Sequence, residues 1–480
     1  MKILMLNPPF LSRYSRQSRS PCVTKGGTIY FPYSIAYATG NLEKHGFNVK
    51  LVDAVANEWS ETETLEFIRQ FKPNLAVLDT STPSIYNDVG IVSKTKDLGI
   101  RHVSLVGTHP TRLPEQTLNL SKNVDSVCRG EYDETVVALA EALEKGKNLK
   151  SVKGLSFRDG KKIVHNPDRP LIKNLDDMPF VSEVYRKHLD IKKYFYASLR
   201  WPQVTILTAR GCPYNCSFCN IPFKSSYRYR SPENVASEFE YIQNELPYVR
   251  EVMIEDDTFP VLKERTEKIC SLLMERKIKL KWSCNARVNT DLETLKLMKK
   301  ANCRLLCVGF ETPSQKVLDN IHKNTTRQLQ VDFMKNTKKA GLLVNGCFIL
   351  GLPGDTKETM RETLEFAKEL NPDTAQFYPL MVYPGTEAYD WAQRSGYLST
   401  DDYSKWITKE GLHNTTVSRP EMSADELVKL CDQMRREYYL RGKYIVSKMA
   451  QVISHPGEFT RTLKSMRTFS KHLFKSSESC

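Results

Sequence analysis

The chain has 480 residues, a formal charge of +14 at pH 7, and 40% hydrophobic and 10% aromatic residues. That length suits about two to three domains, each able to bury its own core, and no apolar run approaches the roughly 18 residues that cross a bilayer. Met1-Lys-Ile-Leu-Met-Leu6 runs into Asn7-Pro8-Pro9 and is too short for a secretory core, so a cytoplasmic protein without a disulfide framework is expected. The positive balance suits an anionic substrate, a nucleic acid or a membrane surface without choosing among them.

The first 150 residues alternate short apolar runs with helical stretches. Strands are expected at Ile3–Asn7, Val49–Ala54, Leu75–Thr80, His102–Gly107 and Asp125–Cys128, and helices around Ser34–His45, Thr62–Phe71, Tyr86–Leu98 and Thr135–Glu144. This alternation implies a parallel sheet covered on both faces, whose ligands bind at the carboxyl ends of the strands. Three such ends carry small polar residues: Thr80-Ser-Thr-Pro83, Gly107-Thr-His-Pro110 and Arg129-Gly-Glu131. Together with Asn7-Pro8-Pro9, they resemble the Rossmann-like cobalamin-binding domain that precedes the core in one large class of radical S-adenosylmethionine (SAM) enzymes. The resemblance implies that Ser81, Thr82, Gly107, Thr108, His109, Gly130 and Glu131 approach the corrinoid. No D-x-H occurs in the chain, so the motif that aims a histidine at cobalt in other cobalamin proteins is missing; His109 is read as a turn histidine.

Residues 151–199 read as a connector. Asp159-Gly160 between apolar runs predicts a hairpin with a type I′ turn, and the proline-marked stretch 169–180 reads as an extended spacer.

From 200 to 390 the alternation recurs six times. Strands are expected at 204–208, 251–255, 280–284, 305–310, 344–350 and 375–380, with helices near 232–245, 261–276, 291–300, 328–340 and 356–370. Directly after the first strand stand Cys212, Cys216 and Cys219, spaced C-x3-C-x2-C. Three thiolates on one loop suit three irons of a 4Fe–4S cluster and leave the fourth iron open for chemistry. Zinc and redox thiols are the other readings; zinc normally takes four closed ligands, and no second knuckle follows. The cysteines and Phe218 between them resemble the radical SAM signature, and six strand–helix units fit that superfamily's partial (β/α)6 barrel, with chemistry at the strand ends. The resemblance implies that the cysteines hold the cluster and that SAM meets Asp256 and Asp257 after strand two, Arg287 after strand three, Glu311 after strand four, and Gly351 and Gly354 in a loop open enough to admit adenine.

Residues 391–480 form a helical basic region. Asp401–Trp406 and Ser423–Asp432 look helical, with Ser423 and Glu426 placed as a capping box. From Arg435 onward, ten Lys or Arg face three acids, and Tyr438, Leu440, Tyr444, Ile445 and Val446 offer an apolar complement for peripheral membrane contact.

The fold class expected is therefore α/β: a doubly wound domain (1–150), a hairpin and linker (151–199), a partial barrel (200–390) and a helical tail (391–480). The resemblance implies a 4Fe–4S cluster, SAM and cobalamin as cofactors. It implies a C-methyltransferase in which a 5′-deoxyadenosyl radical activates an unactivated carbon of a small-molecule or lipid-like substrate and methylcobalamin supplies the methyl group. An electron donor such as flavodoxin or ferredoxin is implied, and no nucleic-acid partner. Alternatives are a cobalamin enzyme catalysing oxidative cyclisation or rearrangement and, more distantly, a tRNA methylthiotransferase. The latter's three further N-terminal cluster cysteines have only Cys22 and Cys128 to match them.

Overall fold

The computed structural model describes residues 1–454 apart from Ser18 and Pro222, with side chains to Ala450. It divides into two compact units: Met1–Val23, Ile29–Tyr194 and Asp402–Trp406 form the first, and Thr24–Thr28, Phe195–Asp401 and residues from Ile407 the second.

The first unit is built on a seven-stranded sheet. Its strands are β1 (Lys2–Asn7), β2 (Asn48–Asp53), β3 (Leu75–Thr80), β4 (His102–Gly107), β5 (Ser126–Cys128), β6 (Leu155–Asp159) and β7 (Lys162–His165). They lie in the order β2-β1-β3-β4-β5-β6-β7. The first five run parallel, with β6 and β7 antiparallel at one edge. Helices α1 (Tyr33–Lys44), α2 (Glu61–Phe71), α3 (Ile85–Asp97) and α4 (Asp133–Glu144) connect them. Fully buried Ile3, Leu4, Met5, Leu75, Ala76, Val77 and Leu78 explain why β1 and β3 read as continuous apolar runs: both faces of a parallel sheet are covered.

The expected hairpin forms, and β6 also pairs with β5, so it extends the sheet. Its turn differs from the expected one. Asp159 pairs with Lys162, so the loop is Gly160–Lys161, and of these only Gly160 takes a positive φ. That is the requirement of a type II′ turn rather than the expected type I′. Residues up to Tyr194 stay with this unit, since the Tyr194 hydroxyl donates to Asp53 Oδ2 at 2.9 Å.

The second unit has six parallel strands in sequence order: β8 (Gln203–Ile206), β9 (Glu251–Ile254), β10 (Lys281–Ala286), β11 (Cys303–Glu311), β12 (Leu343–Leu350) and β13 (Thr374–Pro379). The connecting helices lie within a few residues of their expected places. Ser231, Asp291, Thr326 and Thr356 cap four of these helices, each side chain accepting from backbone amides of the first turn. Toward the start of the strands, buried Glu251 accepts from Arg304 Nε at 2.9 Å and from the Arg200 amide at 2.7 Å.

The free edge of β13 is covered by α5 (Ala424–Tyr439), whose capping box at Ser423 and Glu426 forms as expected. The Tyr439 hydroxyl takes the Ala375 amide at 3.0 Å and donates to the Ala375 carbonyl at 2.8 Å, while Arg435 Nη2 donates to Phe377 O at 3.0 Å. An edge that would otherwise template strand addition is thereby satisfied. Asp401–Trp406 holds a 3-10 turn over Tyr403–Trp406. Among the described residues, no helix is long and apolar enough to cross a membrane.

Candidate active site

The cysteine loop leaves β8 through Thr208 and Ala209. Asp256, at the end of β9, fixes that exit: its Oδ1 accepts from the Thr208 and Ala209 amides at 2.6 and 3.0 Å, and its Oδ2 takes the Thr208 hydroxyl. Burial pushes its pKa up to about 6. Both oxygens thus brace the loop; Asp257 is the half-buried member of the pair. Gly211 follows with φ +83°, and a Cβ there would lie 1.7 Å from Ser226 O, so no other residue fits.

Cys212 and Cys216 are buried and Cys219 half-buried. The loop is tied by Ser225 N to Cys212 O (2.9 Å), Cys219 N to Cys216 O (3.2 Å), Ser217 N to Ile321 O (3.1 Å) and Lys224 Nζ to Cys216 O (2.9 Å). Phe218 anchors it on an apolar cluster that includes Val317, Ile321, Leu352 and Leu380. Among the described residues no three His, Cys, Asp or Glu side chains converge on a single ion.

Around the cysteines the structure assembles a network that the sequence reading found only in part. Arg287 Nη1 lies 3.7 Å from Cys216 Sγ, its guanidinium sits 3.8 Å over the Tyr214 ring, and Nη2 donates to Lys323 O. Asn289 donates to the Tyr214 hydroxyl at 2.8 Å. Lys323 in turn donates to Glu311 Oε1 at 2.6 Å, and both side chains are under a tenth exposed. Glu311 holds φ +65° where the β11–β12 register shifts, a conformation that non-glycine residues adopt at a cost and that clusters at functional sites. Tyr214, Lys224, Asn289 and Lys323 were missed, because isolated polar residues in loops carry no spacing signal.

Gly351 and Gly354 have another explanation than the one expected. Both have positive φ, but a Cβ on Gly351 would meet Leu427 Cδ2 at 2.6 Å and one on Gly354 would meet Asn320 Nδ2 at 2.3 Å. The glycines make room for protein side chains, not for an open face. Asp355 closes this loop by accepting from the Gly351 and Leu352 amides at 3.1 and 3.0 Å.

In the first unit, the carboxyl ends of β1, β2 and β3 meet in a buried polar network. Asn7 Nδ2 donates to Asp53 Oδ1 (2.8 Å) and Arg16 to Asn7 Oδ1 (2.8 Å) and Asp88 (2.6 Å). Thr80 and Ser84 hydroxyls also reach Asp88, and the Tyr14 hydroxyl pairs with Ser81. Arg16, central here, gave no signal in the sequence. Gly107 has φ +120° and a Cβ would lie 2.1 Å from Thr80 O. His109 is 2% exposed; Nδ1 faces Thr82 Oγ1 at 3.3 Å, the ring meets Tyr403 edge-on at 5.0 Å, and buried Nε2 has no partner. Burial drives its pKa down to about 4, so the ring is neutral. Thr108 is half-buried beside it, and the Cβ position of Gly130 has nothing within 4 Å. Glu131 accepts from the Ile172 amide at 2.8 Å and tethers the connector. Gly107 is thus a glycine because the Thr80 carbonyl takes its Cβ position, while the orphaned His109 nitrogen and the open space at Gly130 fit a large polar cofactor at these strand ends.

Family models agree with both sites. The radical SAM superfamily matches residues 206–367 and the B12 binding domain matches residues 19–140. An uncharacterized methyltransferase of Pyrococcus horikoshii is 31% identical over 462 residues, spanning 95% of this chain and 96% of its own. The anaerobic magnesium-protoporphyrin IX monomethyl ester cyclase of Cereibacter sphaeroides is 30% identical over 390 residues, 78% of this chain and 62% of the cyclase. The structure of the radical SAM methyltransferase TsrM from Kitasatospora setae, with cobalamin and a 4Fe–4S cluster, superposes with a TM-score of 0.71 at 15% identity, covering 91% and 88% of the two chains. That of the cobalamin-dependent enzyme OxsB gives 0.70 at 16%, covering 97% and 72%. At such identities these two likenesses speak to the fold. With both domains in this order and a relative above 30% identity matched end to end, the chain belongs to the cobalamin-dependent radical SAM enzymes, whose cofactors are a 4Fe–4S cluster, S-adenosylmethionine and cobalamin.

Proposed function

We propose that the protein is a C-methyltransferase acting on an unactivated carbon of a small-molecule or lipid-like substrate. The observation that carries this reading is the end-to-end match to an uncharacterized methyltransferase, in a chain that joins a B12 binding domain to a radical SAM domain. When bound, the three cofactors supply one-electron cleavage of SAM and a transferable methyl group; the chain's own residues position and shield that chemistry. Cys212, Cys216 and Cys219 would hold three irons, with Phe218 fixing the loop on the core. Arg287, stacked on Tyr214 beside Cys216, would present its remaining donors to the SAM carboxylate. Asp257 would face the SAM ammonium, and Glu311, positioned by Lys323, the ribose side. At the first unit Ser81, Thr82, Gly107, Thr108, His109 and Gly130 would line the corrinoid.

Exposed Leu440, Ile445, Val446 and Met449 support peripheral membrane contact. Tyr438 leaves that set, being fully buried with its hydroxyl on Pro372 O, and Tyr444 likewise turns to Asp373 O. The basic residues beyond 454 lie outside the described residues.

The test is anaerobic turnover with methyl-labelled SAM, a flavodoxin reductant and candidate substrates. Methyl transfer yields 5′-deoxyadenosine and S-adenosylhomocysteine in equal amounts and a product heavier by the labelled methyl. The cyclase relatives favour a second reading, oxidative ring formation. It would give 5′-deoxyadenosine without S-adenosylhomocysteine and no label in the product.

A further inference from the structure

The inner face of the barrel's last strands carries a polar ladder that the cofactors do not require. Along β13, Ala375, Phe377 and Pro379 are buried, and Phe377 stacks with Phe348 and packs near Tyr438 on the helix side. Gln376 and Tyr378 therefore project to the opposite face, into the barrel. Gln376 Nε2 donates to Asn345 Oδ1 at 3.2 Å, and the Tyr378 hydroxyl donates to Gln376 Oε1. The Tyr378 ring lies 5.3 Å from that of His413, whose Nδ1 is buried without any hydrogen-bond partner.

Two cations stand beside this imidazole. Lys25 and Arg435 both pair with Asp432, and the Lys25 side chain is only 14% exposed. Their charge, with burial as the larger effect, holds His413 neutral at a pKa of about 3. Lys25 is delivered by the Thr24–Thr28 turn, in which Gly27 N bonds Thr24 O at 2.9 Å. The turn is held in place because Thr28 Oγ1 accepts from the Ala197 amide at 3.0 Å, at the approach to β8. Desolvation and Arg435 bring the Lys25 amine down to about 8. One carboxylate, Asp432, thus faces two cations, and the buried ring nitrogen beside them has no partner; a net positive charge and an orphaned polar atom together are costly in a folded core unless a ligand answers them.

We propose that Lys25, Arg435 and His413 recognise an anionic group of the substrate, a carboxylate or a phosphate, and hold it at the last strand of the barrel. The assignment rests on the barrel being the reaction chamber. Lys25 supplies a point charge, Arg435 a planar donor and His413 one further hydrogen bond, while Tyr378 forms the adjoining wall.

The test uses the full chain after anaerobic cluster reconstitution. Succinate, glycerol 3-phosphate and the neutral probes succinamide and glycerol are titrated calorimetrically into the wild type, Lys25→Met and His413→Phe. The anions should bind and the neutral probes should not, and each substitution should weaken anion binding at least about tenfold. Preference for one anion names the substrate's group. In the wild type, either anion should also slow acetylation of Lys25 by at least about fivefold relative to exposed Lys443, read by peptide mass spectrometry; this arm does not depend on a variant folding. Unchanged affinity in both variants, equal binding of the neutral probes, or no protection of Lys25 would overturn the proposal. Absorption near 400 nm and basal SAM cleavage report on the barrel reading separately, since none of these residues lies at the cysteine loop.

Discussion

The cysteine loop depends on a single backbone position, and Gly211→Ala measures how strictly. The left-handed φ of +83° costs an alanine about 1–2 kcal/mol. The added Cβ would lie 1.7 Å from Ser226 O and 2.8 Å from Phe223 O, so this stretch must retreat by more than about 1 Å, and forced overpacking of this kind adds about 1–3 kcal/mol. Retreat also breaks the Ser225 N to Cys212 O bond, about 1 kcal/mol more. The loop's cluster-holding arrangement should thus lose about 3–6 kcal/mol, a factor of roughly one hundred to a few tens of thousands in population. Gly46→Ala is the matched control: its φ is +81°, but nothing lies within 4 Å of its Cβ position, so only the backbone cost applies. Both proteins are reconstituted anaerobically and assayed for iron, sulfide and absorption near 400 nm, with melting curves alongside. Gly46→Ala should match the wild type in iron and melt a few degrees lower. If Gly211→Ala took up full iron and melted like Gly46→Ala, the loop would not be held as described.

Replacing Cys212, Cys216 and Cys219 together by alanine should abolish the absorption near 400 nm and the cluster's iron, with the fold retained by far-ultraviolet circular dichroism. Lys323→Met strands the buried Glu311 carboxylate and should cost about 3–5 kcal/mol in urea unfolding; adding Glu311→Gln should recover part of it, and simple additivity would disprove the pairing. Asp79 is fully buried and its pKa is raised to about 7, by burial above all. A folded pKa above the unfolded one means stability is greatest below about pH 4 and falls as pH rises toward 7. Asp79→Asn should therefore raise the unfolding free energy read from urea curves at pH 8, by up to about 4 kcal/mol, and the gain should vanish by about pH 4; an equal shift at both pH values would refute the assignment. His109→Ala should leave the electron paramagnetic resonance spectrum of bound cob(II)alamin without any change in nitrogen coupling, since the ring is turned toward Thr82 and Tyr403.

What the sequence made legible was local. β1, β3 and β4 appear at Lys2–Asn7, Leu75–Thr80 and His102–Gly107 because their apolar runs are bounded by turn residues within a few positions. The cysteines were readable because their C-x3-C-x2-C spacing lies within one loop. Lys323 and Glu311, Arg16 and Asp88, or Arg304 and Glu251 were not, since each pair is brought together by tertiary packing and no single-sequence period links the partners. Gly351 and Gly354 show the reverse error. Small residues at a strand end suggested room for a ligand, yet Leu427 and Asn320, distant in sequence, take up that space. Asp256 shows that a carboxylate at a strand end can also brace a neighbouring loop.

The exchange of short segments between the two units has a consequence for synthesis. The first unit includes Asp402–Trp406, and Tyr403 from that piece packs on His109 and takes the Gln116 side chain as hydrogen-bond acceptor at 3.0 Å. Translation delivers those residues only after the whole six-stranded sheet of the other unit has been made. The N-terminal half therefore leaves the ribosome unfinished, against the usual order in which the first domain folds first. A gene cut at residue 194 would express a fragment lacking Tyr403, and the complementary fragment would lack Lys25. Completion of the first unit is then tied to a nearly complete polypeptide, and a stalled or truncated product would carry that unit without the ring that covers His109.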